Sequence, residues 1–207
     1  MENDLFFRIT YLLLWIVFIA TRLVPSRNVP SVRRSRKERI ETIKQEGIYA
    51  LVLIFIAIYG NLIVAALYVF NLPWIQWSYL YLPFELRVVG LILGVVSLPY
   101  VYWVGRTLAN YYSYTVEIQE SHKLITTGPY HRIRHPLYAA TILFLAALVL
   151  VSDNWLFLII LLIMIPGIYV RIEKEERMLI EEFGDEYRAY MKRTGRLLPR
   201  FRSHEAD

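Results

Sequence analysis

The sequence predicts an all-α integral membrane protein. Five transmembrane helices are expected, with the fourth and fifth forming a short hairpin and a cytosolic amphipathic helix following them. Three observations carry this. Hydrophobic residues make up 57% of the 207 residues, against about 45–50% in an ordinary soluble domain. Those residues are gathered into runs near the length of about 20 needed to cross a bilayer. The basic residues cluster in alternate connections between the runs.

The first span is read at about residues 5–24. Glu2 and Asp4 precede it, its apolar run is long, and no small-residue cleavage site follows, which argues against a signal peptide. The second runs over about 48–70 and the third over about 84–108. The third holds Gly90 and Gly94, a spacing that admits a close helix neighbour, and Pro99, a position for a kink. The fourth and fifth, about 137–151 and 155–170, are separated only by Ser152-Asp153-Asn154 and form a tight hairpin. Each is short for a full crossing, and Pro166-Gly167 is expected to distort the fifth near its exit. From Ile172 onward Leu179, Ile180, Phe183, Tyr187, Tyr190 and Met191 recur at three- and four-residue steps, an amphipathic helix with a break expected near Gly184.

Of the 23 Lys and Arg residues, 21 fall between Arg22 and Lys44, between Arg106 and Pro136, or from Arg171 onward. Five spans place these three segments on one side, which the positive-inside rule assigns to the cytoplasm. The other side receives Arg8, Arg87, Asp153 and the uncharged connection Asn71 to Pro83, whose Trp74, Trp77, Tyr79 and Tyr81 suit an interfacial belt. The chain reads as one domain over residues 1–207, with a catalytic region at about 111–200.

The absence of cysteine excludes disulfides, thiolate catalysis and cysteine-rich zinc sites. Net charge is +5, which a basic cytoplasmic face explains. The basic run of the first loop lacks the aromatic residues that stack nucleic-acid bases, so no nucleic-acid partner is expected. His131 and His135 stand four apart, but Arg132 occupies the place of the glutamate in the zinc-peptidase motif, and no metal is expected. No Gly-x-Gly-x-x-Gly marks a Rossmann domain.

Two polar clusters remain, at the same end of the hairpin. One runs from Tyr111 to Pro136 and includes His122, Tyr130, Arg134 and His135; alternation near Ser113 to Ile118 permits an extended stretch there. Gly128-Pro129 signals a turn, and Pro136 suits the first turn of the fourth helix, whose free N–H groups favour an anion. The other cluster is Arg171 with Glu175 and Glu176. Arg171 can hold a carboxylate by a two-pronged hydrogen bond, and a glutamate can accept from ribose hydroxyls or a cationic group.

His122-x-Leu124, Gly128-Pro129-Tyr130, Arg134-His135-Pro136-x-Tyr138, Arg171 with Glu175-Glu176, Phe183-Gly184-x-x-Tyr187 and Arg196-Leu197-Leu198-Pro199 occur in order. In this the chain resembles the isoprenylcysteine carboxyl methyltransferase family, related to phospholipid methyltransferases. The resemblance implies a multispan enzyme using S-adenosyl-L-methionine in a cytosol-facing pocket. On this sequence His122, Leu124, Tyr130, His135, Pro136 and Tyr138 line that pocket, with Glu175 or Glu176 also on the cofactor. Arg134 and Arg171 are the implied catalytic residues beside the reacting carboxylate. A lipophilic, prenylated carboxylate substrate is implied to enter from the bilayer; the chain holds no specific lipid motif, and the Gly90/Gly94 face of the third span is a candidate wall. The implied location is the endoplasmic reticulum in a eukaryote or the plasma membrane in a prokaryote. Rival readings are another lipid or amine acceptor, an NADPH-dependent sterol-type reductase, and a noncatalytic membrane protein.

Overall fold

The computed structural model describes residues 2–26, 48–115 and 124–200. Among the described residues five helices carry the architecture: α1 (Glu2–Ser26), α2 (Ile48–Val69), α3 (Phe84–Thr115), α4 (Pro136–Ser152) and α5 (Trp155–Arg193). Two 3₁₀ turns, Pro73–Ser78 and Gly128–His131, lie between them. Four of the helices, α1, α2, α3 and α5, are long and apolar enough to cross a membrane. The 17-residue α4 reaches about 25 Å, short of a hydrocarbon core of about 30 Å. The protein is an all-α membrane protein. α3 packs chiefly on α4, α5 on α2, and α1 on α3.

The buried core is mostly aromatic and aliphatic. Phe18 of α1 stacks on Phe144 of α4 with centroids 4.2 Å apart, and Tyr11 meets Tyr68 and Phe157 of α2 and α5. The face bearing Gly90 and Gly94 is filled by α4 and α1. A Cβ on Gly90 would lie 2.5 Å from Leu150 Cβ and 2.9 Å from the Ala147 carbonyl oxygen, and one on Gly94 would lie 3.0 Å from Leu14 Cδ1. The expected lipid-facing wall is therefore a helix–helix contact, as small residues allow backbones to approach.

The hairpin turn forms where Ser152-Asp153-Asn154 predicts it. Asp153 takes a left-handed conformation (φ 55°) and its N–H returns to Val149 and Leu150 carbonyls. Asn154 caps α5 by accepting from Leu156 N–H at 3.0 Å and donates to Ser78 Oγ at 2.7 Å. The Asp153 carboxylate accepts from Leu82 N–H at 2.7 Å, and its carbonyl from Leu80 N–H at 2.9 Å. The aromatic connection 71–83 is thus tied to the hairpin. Trp74, Trp77 and Tyr81 remain exposed, as an interfacial belt requires. At this same end the buried Arg87 bonds Asp4 of α1 at 2.8 Å and the Val151 carbonyl, and lies 3.9 Å over the Phe7 ring. Arg87 and Asp153, which the basic-residue pattern places together, lie here at the end opposite Arg171, with Asp4 beside Arg87.

α5 differs from expectation. It stays helical without a break over residues 155–183, about 44 Å and well beyond the hydrocarbon thickness, and a second helical stretch follows Gly184 and ends at Arg193. The apolar part from Trp155 crosses, and the polar part from Arg171 projects beyond. The amphipathic helix is therefore a continuation of the fifth span. Pro166 sits inside it, and the interior residue with non-helical angles is Gly184 (φ 53°, ψ −122°). Only glycine adopts those angles at low cost, and the break expected from sequence falls there.

Gly90→Ala should lower the melting temperature in detergent more than Gly94→Ala. Overpacking against α4 backbone costs about 1–3 kcal/mol and outweighs the roughly 1 kcal/mol of helix propensity gained. Leu14, by contrast, can swing its side-chain tip away from position 94. Equal melting temperatures for the two variants would contradict this packing.

Candidate active site

The site is built at the Arg171 end of the hairpin by three segments. The first enters through Gly128, whose positive φ of 60° needs glycine, and through the 3₁₀ turn with Pro129 buried at its start. The second is α5 from Tyr169 to Arg193. The third is the chain after α5, from Thr194 to Arg200. The Ser113–Ile118 alternation does not give an extended stretch as far as it is described, because α3 remains helical to Thr115; residues 116–118 lie outside the described residues.

Residues 132–135 run beside residues 195–196. Gly195 N–H donates to the Arg132 carbonyl at 3.1 Å, Arg134 N–H to Gly195 at 2.8 Å, and His135 N–H to Arg196 at 3.0 Å. A Cβ on Gly195 would collide with the Leu198 carbonyl oxygen, so a tight turn there requires glycine. Pro136 then opens α4, as predicted.

Glu176 stands at the centre, with its side chain 4% exposed. Its Oε1 accepts from Arg134 Nε at 2.9 Å and lies 3.3 Å from His135 Nε2. Its Oε2 accepts from Arg196 Nε at 3.1 Å and Nη2 at 2.5 Å. Arg134 also donates through Nη1 to the Met191 and Thr194 carbonyls at the end of α5. These carbonyls are otherwise left without helical partners. Burial pushes the Glu176 carboxyl up, but hydrogen bonds from His135, Arg196 and Arg134 outweigh it and hold the group at about 2, below its usual 4.5.

Around this centre, Glu175 is half-exposed with Oε2 3.8 Å from His135 Nδ1. The Tyr138 hydroxyl interacts with Glu175 and Arg171, and its ring is 5.9 Å from that of His135. Tyr130 enters through its carbonyl, which accepts from Tyr190 Oη at 2.5 Å. Arg22, at the end of α1, is within electrostatic range of Tyr138, Tyr130 and Arg171. Arg196 lies 5.1 Å over the Tyr169 ring.

Of the residues expected from sequence, Arg134, His135, Glu175 and Glu176 are in direct contact, with Tyr138 and Arg171 beside them. Pro136 is buried beneath, and Leu124 is half-buried in the entering segment. His122 lies outside the described residues. Sequence reasoning missed Arg196, Tyr190 and Gly195 as site-forming residues. Arg196 stands in the Arg196-Leu197-Leu198-Pro199 tail and Tyr190 in the amphipathic pattern, but neither carries a charge or spacing pattern that names its partner.

The model of the isoprenylcysteine carboxyl methyltransferase (ICMT) family matches residues 89–181. This stretch is ICMT-like. It covers α3 from residue 89, all of α4, and α5 to residue 181, past the Glu175-Glu176 pair. Methanethiol S-methyltransferase 1 of Bradyrhizobium diazoefficiens is 44% identical over 75 residues, 36% of this chain and 25% of that protein. The nickel-cobalt-cadmium resistance protein NccN of Alcaligenes xylosoxydans xylosoxydans is 30% identical over 125 residues, 60% of this chain and 55% of that protein. The matches thus span a quarter and about half of these relatives' own lengths.

Two outcomes are expected from the ICMT-like centre. Glu176→Gln leaves two guanidinium groups short of a counter-charge and should cost about 3–5 kcal/mol in detergent unfolding. The lowered carboxyl of Glu176 contributes stability that is complete above its usual 4.5 and is lost as pH falls from there towards about 2. Melting temperature against pH should therefore drop over that window, and drop less in Glu176→Gln. An unchanged acid slope in the variant would refute the ion-pair assignment.

Proposed function

We propose that the protein is a membrane methyltransferase using S-adenosyl-L-methionine, with its site facing the cytosol. The observation that carries this reading is the cluster of Glu175, Glu176, His135, Tyr138 and Arg171 at one end of the hairpin, inside the ICMT-like stretch. The donor set fits such a cofactor. A half-exposed carboxylate at Glu175 suits an ammonium group or ribose hydroxyls, and the Tyr138 hydroxyl stands beside it. Bound there, the cofactor supplies a methyl group on a positively charged sulfur.

The acceptor is proposed to be the carboxylate of a lipophilic molecule, a prenylated C-terminal cysteine being the form implied by the family. A carboxylate is already ionised at neutral pH, so no strong general base is required. The task of the protein is placement, which by itself lowers a barrier substantially. Arg171 is the residue proposed to orient the acceptor. Arg134, although in the site, spends its donors on Glu176 and on the end of α5, so its contribution is to hold the cluster together. A narrow apolar groove with about 60 Å³ of free space, lined by Trp15, Ala57, Asn61, Phe157, Leu161 and Met164, lies between α1, α2 and α5 and is the proposed lodging for part of the acceptor's lipid tail. The likeness to a methanethiol S-methyltransferase favours a second reading, a thiol as acceptor.

The deciding experiment is calorimetric titration of detergent-purified protein with S-adenosylhomocysteine and, in parallel, NADPH. Saturable binding of the first alone is expected. Binding of NADPH alone would move the protein to the reductase class, and binding of neither would leave a noncatalytic role. With binding in hand, transfer of labelled methyl to a prenylated cysteine and to a small thiol separates the acceptors. Leu161→Trp, which fills the groove, should raise KM for the prenylated acceptor severalfold while leaving S-adenosylhomocysteine affinity unchanged. Equal effects on both ligands would dissociate the groove from the acceptor.

A further inference from the structure

Consecutive residues on a helix point about 100° apart, so Glu175 and Glu176 differ in exposure and pairing although the His135 ring reaches both. An ionised carboxylate offers about four acceptor directions. Those of Glu176 are taken by Arg134 Nε, His135 Nε2, and the Nε and Nη2 of Arg196. With its side chain 4% exposed, it has neither surface nor lone pairs to offer a ligand. Glu175 is 43% exposed, and its Oε2 lies 3.8 Å from His135 Nδ1. It stands beside the Tyr138 hydroxyl, on the open side of the same helical turn.

What separates the two is Arg196. It reaches Glu176 from the segment after α5, with its backbone carbonyl fixed by His135 N–H and its guanidinium over Tyr169. It lies beyond the ICMT-like stretch, which ends at residue 181. We infer that Arg196 is a positioning residue whose paired hydrogen bonds lock Glu176 as the anchor of the site, so that Glu175 is the carboxylate of the pair that meets the ligand. Glu175 accepts from a hydroxyl or ammonium group, and Arg196 acts on binding only through the rotation of α5 that it fixes. This rests on the cofactor reading proposed above.

The test is S-adenosylhomocysteine titration, well below the melting temperature, of wild type, Glu175→Gln, Arg196→Gln, Arg196→Lys and the double variant E175Q/R196Q, each with a thermal melt. Glu175→Gln should weaken binding roughly ten- to hundredfold, the loss of a hydrogen bond to a charged group, with a melting temperature near wild type. Arg196→Gln should lower the melting temperature and also weaken binding, and Arg196→Lys should recover part of both. The double variant should bind no more weakly than Glu175→Gln alone, because a residue acting through Glu175 adds nothing once that carboxylate is gone. Wild-type affinity in Glu175→Gln, or an Arg196→Gln protein that melts earlier yet binds normally, would overturn the assignment. Failure of wild type to bind S-adenosylhomocysteine is a different result and would remove the cofactor reading itself.

Discussion

The Arg171 end of the molecule depends on one buried carboxylate. Glu176 joins three stretches that are distant in sequence: the segment before α4 through Arg134 and His135, the projecting part of α5, and the chain after it through Arg196. A lone carboxylate would not remain charged at 4% exposure, because removing it from water is costly. Two guanidinium groups and an imidazole compensate that cost and in doing so fix the geometry. Arg134 extends the tie to the carbonyls that end α5. The backbone pairing of residues 132–135 with 195–196 then follows from having both arginines on one acceptor.

The opposite end solves the same problem with the charges reversed. There the buried ion is Arg87, satisfied by Asp4, the Val151 carbonyl and the face of Phe7. Asn154 and Asp153 hold the hairpin turn and the aromatic connection together. Between the two polar ends the contacts are apolar and close, with Gly90 letting α3 approach α4 backbone. Polar networks at the ends and small-residue packing in the middle are what a bilayer permits, since apolar contact alone brings little association between helices in lipid.

For methyl transfer as proposed, this division of labour is economical. The reaction asks for placement more than for proton transfer, and placement is what a saturated network supplies. Groups that are fully paired, Glu176 and Arg134, serve to hold. The group with spare acceptor capacity, Glu175, is the one available to bind, and Tyr138 and Arg171 stand next to it.

Much of the fold was legible in the chain because the bilayer imposes one-dimensional rules. Apolar run length places α1, α2 and the starts of α3 and α5 within a few residues, and Ser152-Asp153-Asn154 marks the hairpin turn because polar residues there must find partners. Gly184 was readable as a break since no other residue tolerates its angles cheaply. The motif Arg134-His135-Pro136-x-Tyr138 with Glu175-Glu176 located the candidate site. What only tertiary structure decided is who pairs with whom. No periodicity tells that the amphipathic tail continues the fifth span, that the Gly90/Gly94 face meets α4, or that Arg196 closes on Glu176 from 20 residues away. Such choices depend on distances across the fold and on which lone pairs are already taken, and neither is written in the order of the residues.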